Sequence, residues 1–389
     1  GAPRVAVIGA GPAGLTAAHS LSVLGYKVTV FEREAKPGGM LVAAIPEYRL
    51  PRTTLEKEIS VLLNDNIEVL YNQALGKDFT IESLKQDGFK AIMVAIGSQR
   101  SKQLDLTGDK VEGILPGIEF LKAQNLHGRE FARGRVGIIG GGNSALDAAR
   151  VAIRQKHVDE VTVFYRRTRG EMPAYAEEIE AAIEEGIKIE TLVAPVGVHS
   201  KNGKLTAIEF QRNALGERDD SGRAKPVAIE GSEFLVGLET LVVAISEEPE
   251  KECMAGLKVS GWGSLVINPE SCITSEPGVF GGGDVVSGPS TAIEAVAAGR
   301  NAALMIDRYL SGKQMKRLNT VALPTVYVPP VEVEEEGEAT GRIRTEHIPV
   351  AARLKNFDEV DLSPSENHAL CEARRCLRCD IEFTQPAMN

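Results

Sequence analysis

Two glycine-rich turns carry the clearest chemistry in the chain. Gly9-x-Gly11-x-x-Gly14, within "RVAVIGAGPAGLTAAHSL" (4–21), follows an apolar run and opens a stretch of small residues. In that order the first glycine permits a tight turn and the second lets backbone approach a pyrophosphate. The third lets a helix pack on a strand. A helix starting at Pro12 and Ala13 would present free N–H groups and the positive end of its dipole to an anion. Glu32, 23 residues after Gly9, can accept hydrogen bonds from ribose hydroxyls. The four parts together point to a dinucleotide.

The second turn, Gly140-Gly141-Gly142-Asn143-Ser144-Ala145, has the GxGxxA form and belongs to a duplication. "RVGIIGGGNSALDAARVA" (135–152) matches residues 4–21, and the strand Val-Thr-Val-Phe recurs at 28–31 and 161–164. Each copy closes with an apolar strand, "MVAIG" (93–97) and "VVAIS" (242–246). The copies differ where specificity is set. Tyr165 replaces Glu32, and Arg166 and Arg167 follow at once. A carboxylate there would repel a 2′-phosphate, whereas guanidinium groups can pair with one and stack on adenine. NADP(H) is therefore favoured over NAD(H) at the second turn.

The elements that position these turns alternate strand and helix, which predicts an α/β chain with parallel βαβ units and helices on both sheet faces. A third segment, "GVFGGGDVVSGPSTAIEAVAAGRNAALMI" (278–306), reads as strand, turn and helix without a unit of its own. It is expected to return and complete the first unit, with the second inserted. The predicted layout is a discontinuous first domain (1–105 and 250–312), a second domain (106–249) and a C-terminal arm (313–389). Its stretch "LPTVYVPPVEVEEEGEATG" reads as extended and solvated, and Ser363 or Ser365 caps a short helix beyond it.

Composition narrows the class. A net charge of −10 argues against a nucleic-acid binder, and no apolar run approaches a membrane span. The start of the chain is not a signal peptide, and five cysteines without a disulfide pattern predict a cytoplasmic protein. The six histidines are scattered, and no HExxH, GxSxG or P-loop pattern occurs. Cys371-x4-Cys376-x2-Cys379 matches three of the four ligands of a plant-type ferredoxin centre. An incomplete set binds metal weakly, so a retained cluster and three leftover thiols both stay open.

The chain resembles the FAD-dependent pyridine-nucleotide oxidoreductases exemplified by the small subunit of bacterial glutamate synthase. The resemblance is carried by "GAGPAGL", "EREAKPGGML", "IPEYRLP", "GGGNSALDAAR", "YRRTRGEMPA" and "GVFGGGDVVSGPS", in that order from about residue 2 to 305. It extends to "NFDEVDLSPSENHALCEARRCLRC" (356–379). It implies two Rossmann-like domains, one for FAD and one for NAD(P). FAD contacts are implied at Gly9, Gly11, Pro12, Ala13, Gly14, Glu32 and Arg33, and at Gly39, Met40 and Leu41 beside the flavin. Further ones are Arg49, Gly97, Gly283 and Asp284, the last on the ribitol chain, with Thr291, Ala292 and Ile293 starting a helix aimed at the ring. Gly140, Gly142, Asn143, Ser144, Arg166 and Arg167 match the nicotinamide-dinucleotide site.

Three departures stand out. The family often has a Cys-rich iron–sulfur domain ahead of the flavin fold, where this sequence starts. "VAAIP" replaces Arg-Tyr-Gly-Ile-Pro, and "AISEEP" replaces Ala-Ile-Gly-Gln-x-Pro. The expected role is hydride exchange between NAD(P)(H) and flavin, with electrons passed singly to a partner subunit that carries iron–sulfur or other metal centres. Two other readings remain. One is a thioredoxin-reductase-like enzyme using Cys376 and Cys379. The other is a non-catalytic FAD-binding scaffold.

Overall fold

A computed structural model describes residues 2–104, 111–218, 222–316 and 343–374. The first unit runs β1 (Arg4–Ile8), α1 (Pro12–Val23), β2 (Lys27–Glu32), α2 (Met40–Ala43), α3 (Arg52–Leu62), β3 (Ile67–Tyr71), α4 (Ile81–Gln86) and β4 (Ala91–Val94). β5 (Arg100–Ser101) leads out of it. The second unit runs β6 (Ile114–Pro116), α5 (Gly117–His127), β7 (Gly134–Ile139), α6 (Asn143–Ala152), β8 (Val158–Tyr165), α7 (Ala176–Glu184) and β9 (Lys188–Thr191). Then come β10 (Val193–Lys201), β11 (Lys204–Arg218), β12 (Ala224–Ala228), β13 (Phe234–Gly237), β14 (Thr240–Val243) and β15 (Glu247–Glu248). The chain continues with β16 (Val279–Gly281), α8 (Asp284–Ser287), α9 (Ala292–Leu310), α10 (Val350–Arg353) and α11 (Glu366–Arg374).

The two parallel sheets have the orders β16-β4-β1-β2-β3 and β6-β14-β7-β8-β9. The duplication is visible in the register. Ile8 pairs with Phe31 and Ile139 with Phe164, so Glu32 and Tyr165 occupy equivalent strand ends. β16 pairs with β4, so the 278–306 segment does return to the first sheet. α9 then packs along α1, where a Cβ on Gly299 would lie 2.3 Å from the Ala13 carbonyl oxygen. The α/β expectation with parallel Rossmann-like units holds.

One layer differs from the sequence expectation. β10, β11, β12 and β13 form an antiparallel sheet that covers one face of the second parallel sheet, where a helix was expected. Alternation along the strands explains it. Ile139, Phe164, Leu241 and Val243 face Leu205, Ile208 and Phe210 of that sheet, with Phe164 and Phe210 stacked at 4.2 Å. Ile138, Val163 and Val242 point the other way, into a core built on α5, α6 and α7.

Three ties join the halves. β5 and β15 pair antiparallel where the chain crosses between sheets. Asn125 of α5 donates to the carbonyls of Ala43 and Ala44 at 3.2 and 3.1 Å, and both alanines are buried against the second unit. The small side chains of "VAAIP" thus let α5 come close. Tyr48, from the loop after α2, enters the second core, and residues 346–362 fold back over it. Val360 N–H donates to the Tyr48 carbonyl at 3.0 Å, and Phe357 lies against the Tyr48 ring. Arg353 anchors this segment to Glu184 of α7 at 3.0 Å. This part of the expected extended arm is therefore docked. Ser365 caps α11, its hydroxyl accepting from His368 N–H at 3.2 Å.

Candidate dinucleotide site

The first turn has the geometry its glycines require. Gly9 has φ +104°, and a Cβ there would sit 2.5 Å from the Ala95 carbonyl oxygen at the end of β4. A Cβ on Gly14 would fall 1.9 Å from the Gly9 oxygen, so Gly14 serves the turn's own closure. Gly11 is different. Its Cβ would meet nothing nearer than the Gly39 Cα at 3.9 Å, and it faces a cavity of about 360 Å³. Gly38 N–H donates to the Ala10 carbonyl at 2.8 Å, which lays the Gly39–Leu41 loop along this opening.

Of the residues expected at FAD, Gly9, Gly11, Pro12, Ala13, Glu32, Arg33, Gly39, Met40, Leu41, Arg49, Gly97, Gly283, Asp284, Thr291 and Ala292 line this cavity. Gly14 lies behind the turn, and Ile293 is 71% exposed on the outer side of α9. The N-termini of α1, α6 and α9 all reach the cavity, through Pro12, Asn143 and Thr291. Three positive dipole ends converging on one space suit an anionic ligand. Thr291 caps α9, its hydroxyl accepting from Glu294 N–H at 3.3 Å.

The buried Glu32 carboxylate accepts from Ala10 N–H at 2.7 Å and from Glu34 N–H at 2.8 Å, one bond per oxygen. Each oxygen keeps an acceptor position for a hydroxyl. Burial pushes its pKa up, and the two backbone donors oppose that. Asp284 is likewise raised by burial against a bond from Ser290 Oγ at 3.0 Å. The open Gly11, the hydroxyl acceptor at Glu32 and the converging helix ends fit a dinucleotide such as FAD.

Two arginines on the wall are already engaged. Arg33 donates to Glu250 at 2.6 Å and to Gln99 at 2.8 Å. Arg49 binds Asp147 of α6 at 2.9 Å and Glu178 of α7 at 2.8 Å, across the two halves. Burial raises the Asp147 carboxyl to about 6, against the pull of Arg49. Arg49 therefore fastens the halves at the cavity's edge. Behind it, Arg150 and Arg154 bind the buried Glu185 and lie over the Tyr48 ring at 4.6 and 4.3 Å.

The second turn repeats the first. Gly140 has φ +147°, its Cβ would meet the Ala244 oxygen at 2.2 Å, and Gly142 opens outward with only Pro173 Cγ at 3.9 Å. Asn143 and Ser144, at the start of α6, line the same cavity as the first turn. The Tyr165 ring fills the place a side chain on Gly141 would take, and its hydroxyl donates to the Glu171 carbonyl at 2.9 Å. The arginine pair divides. Arg166 is exposed, whereas Arg167 is buried and donates to the Ala224 carbonyl at 2.6 Å.

Sequence reasoning passed over Ser98, Gln99, Asp147, Tyr175, Glu247 and Cys253, all on the cavity wall. For Glu247 a signal existed, since it falls in the atypical "AISEEP". Burial pushes the Cys253 thiol up to about 11, which leaves it un-ionised. Cys371 lies on α11, and Cys376 and Cys379 fall outside the described residues. Among the described residues no cluster of His, Cys, Asp or Glu could hold a metal, and no helix is long and apolar enough to cross a membrane.

A family profile described as pyridine nucleotide-disulphide oxidoreductase matches residues 3–299. The chain belongs to this family. It is 39% identical to the NADP(+)-dependent formate dehydrogenase subunit beta of Moorella thermoacetica, over 97% of this chain and 54% of that protein. It is 34% identical to the glutamate synthase [NADPH] small chain of Azospirillum brasilense, over 79% of this chain and 67% of the relative. The chain thus spans about half the length of the first of these. Among solved structures, Mycobacterium tuberculosis FprA in complex with NADPH shares the fold, with TM-score 0.70 at 18% identity over 80% of this chain and 85% of that one. Membership fixes the general class, an oxidoreductase of a flavoprotein family that uses pyridine nucleotides, in line with the expectation of FAD and NADP(H).

Proposed function

We propose that the chain binds FAD along the first turn and NADP(H) at the second, exchanges hydride between them, and delivers electrons singly to a redox partner subunit in the cytoplasm. One observation carries the reading: Gly9 and Gly11 of the first turn and Asn143 and Ser144, which follow the glycines of the second, line a single cavity together with Met40 and Asp284, while Gly140, Gly142, Arg166 and Arg167 lie off its wall. FAD, when bound, accepts two electrons as hydride and can release them one at a time. The protein's own part is then to stack and orient two dinucleotides and keep water away, which needs no side-chain acid or base. Pro12, Met40, Leu41, Ala44 and Ile45 supply apolar wall for that purpose. In this assignment residues 1–105 and 250–312 hold FAD, residues 106–249 hold NADP(H), and 313–389 form the arm.

The partner is argued from the relatives, which are named as subunits or chains of larger enzymes. Iron–sulfur centres on that partner suit single-electron release. Among the described residues the cavity offers one cysteine, Cys253, with its thiol held neutral, and this favours electron transfer over disulfide exchange. An anaerobic titration watched at flavin wavelengths tests the reading: NADPH should bleach the flavin, and NADH should do so less readily. A protein that binds flavin but bleaches with neither would be a scaffold. Titration of two new thiols on reduction would instead point to a disulfide reductase.

A further inference from the structure

The loop from Gly39 to Arg49 belongs to both halves of the molecule. Gly39, Met40 and Leu41 line the dinucleotide cavity, and Arg52 braces the turn behind them by donating to the Leu41 and Ile45 carbonyls at 2.8 and 2.6 Å. The rest of the loop is fastened to the second unit. Asn125 of α5 donates to the Ala43 and Ala44 carbonyls, and Arg49 binds Asp147 and Glu178. Between these ties Tyr48 is 1% exposed and packs in the second unit's core. A shift of Tyr48 would therefore move the wall that holds Met40 and Leu41.

Residues 346–362 close over Tyr48 and form a narrow loop of their own. Ile348 N–H donates to the Val360 carbonyl at 3.0 Å and Leu362 N–H to the Glu346 carbonyl at 2.8 Å. His347 and Asp361 lie 3.2 Å apart across its neck. α10 sits in the closed end, where the buried Arg353 donates to the Ile348 carbonyl at 2.7 Å and to Glu184 of α7 at 3.0 Å. Ile348, Phe357 and Val360 pack on the second core. Val360 N–H meanwhile reaches the Tyr48 carbonyl at 3.0 Å, and the Phe357 ring lies 6.4 Å from the Tyr48 ring. One segment thus grips a loop of the first unit and a helix of the second. The chain itself crosses between the sheets at the β5–β15 pair. That pair is two residues long in each strand and by itself would leave the angle between the halves soft.

We propose that residues 346–362 are a clasp that locks the two halves at one angle, with Arg353, Phe357 and Val360 as positioning residues. The cavity wall at Met40 and Leu41 and the second turn at Asn143 are then in register before a dinucleotide binds. This rests on the assignment of hydride exchange to the shared cavity. Hydride transfer tolerates little error in the separation of the reacting rings, and a misplacement of about 1 Å can cost about a hundredfold in rate. A fixed angle sets that separation once, so binding of the second dinucleotide does not have to close the halves. None of residues 346–362 lines the cavity, so the clasp acts through Tyr48 and the loop that begins at Gly39.

The test compares the native protein with Glu184→Gln/Phe357→Ala, two changes outside the cavity that remove the Arg353 ion pair and the ring on Tyr48. Pulsed electron resonance reads the distance between spin labels on unnatural residues introduced at Val23 of the first unit and Leu235 of the second, both exposed. The flavin-loaded native protein should give one narrow distance that NADP+ leaves unchanged. The variant should show a second or broadened distance well below its Tm. Its flavin reduction at saturating NADPH should slow by about tenfold or more. The single change Phe357→Ala, which leaves Arg353 paired, serves if the double variant does not fold, and should move both readouts in the same direction. A lower Tm with neither readout moved would overturn the clasp, as would a native distance that shifts when NADP+ binds. A native protein that shows the fixed distance yet is not bleached by NADPH would overturn the hydride assignment and leave the lock standing.

Discussion

Replacing Glu185 with Gln tests the buried ion cluster behind Arg49, on which the Tyr48 ring rests. The carboxylate accepts four bonds from two guanidinium groups: Arg150 at 3.1 and 2.8 Å, and Arg154 at 2.7 and 2.9 Å. The side chains of Glu185 and Arg154 are fully buried and that of Arg150 is 3% exposed, so solvent does not screen them. Arg150 retains Glu178 after the change, but among the described residues Arg154 keeps the Arg150 carbonyl at 2.7 Å, the Tyr48 face and a neutral amide oxygen in place of the carboxylate. Removing one partner of a buried pair costs about 3–5 kcal/mol, since it strands a charge. At roughly 2–4 °C per kcal/mol for a unit of this size, Tm should fall by about 6–20 °C.

The assay is thermal unfolding by circular dichroism at pH 7 and two salt concentrations, and the loss should be nearly independent of salt. The pH limb gives a second readout. Burial alone would raise the Glu185 pKa, yet the bonds from Arg154 and Arg150 win and hold it below the usual value. A depressed folded value means the stabilisation is present above the unfolded value of about 4.3 and is lost as pH falls through the folded one. Glu185→Gln should flatten that acid limb. A Tm within about 2 °C of the native protein would refute the reasoning, because the pair would then have to be solvated.

Gly11→Val should abolish flavin retention while the apoprotein keeps its circular dichroism, because a Cβ at Gly11 points into the cavity; Gly14→Val should lose the fold as well, since its Cβ strikes the Gly9 carbonyl. Full flavin in Gly11→Val would mean that the first turn is misassigned. Arg166→Ala should weaken NADPH by about tenfold, or 1.4 kcal/mol, with little effect on NADH. Arg167→Ala should lower Tm by about 1–3 kcal/mol equivalent instead, through the loss of a buried side chain bonded to the Ala224 carbonyl; equal cofactor effects in both variants would contradict this division. Tyr48→Phe should leave Tm unchanged or raise it by up to about 1 kcal/mol equivalent, because the buried hydroxyl has no hydrogen-bond partner among the described residues, and a marked drop would show that it has one.

Much of the architecture was legible in the sequence because the turn signal is local. Gly9 and Gly140 each need positive φ and bare backbone against the residue that ends the closing strand, Ala95 or Ala244, so the same short pattern had to appear twice. The antiparallel layer was not legible. Nothing near "KLTAIEFQRNALGER" says which sheet its apolar face will cover; that is decided by Phe164 and Leu241, far away in the chain. The arginines show the same limit from another side. Motif position places Arg33, Arg49 and Arg167 near the cofactor sites, but their hydrogen-bond partners lie on separate elements and had to be seen. Tyr48 belongs to a loop of the first unit and a core of the second, which no periodicity within 45–51 announces.

The difference between the two strand ends follows from what each side chain leaves open. At the end of β2, Glu32 spends one lone pair per oxygen, on Ala10 N–H in the turn and on Glu34 N–H just after the strand, and turns the rest to the cavity. A carboxylate so placed favours hydroxyl donors and repels a phosphate. At the end of β8 the Tyr165 ring lies on Gly141, and its hydroxyl is satisfied by the Glu171 carbonyl. That end presents no carboxylate of its own, and the next residue, Arg166, is exposed. Substituting an acid for Tyr165 would undo two things at once, the packing on Gly141 and the tolerance for a 2′-phosphate. On the proposed assignment, the duplicated strand keeps one backbone while its final residue sorts two dinucleotides between the two turns.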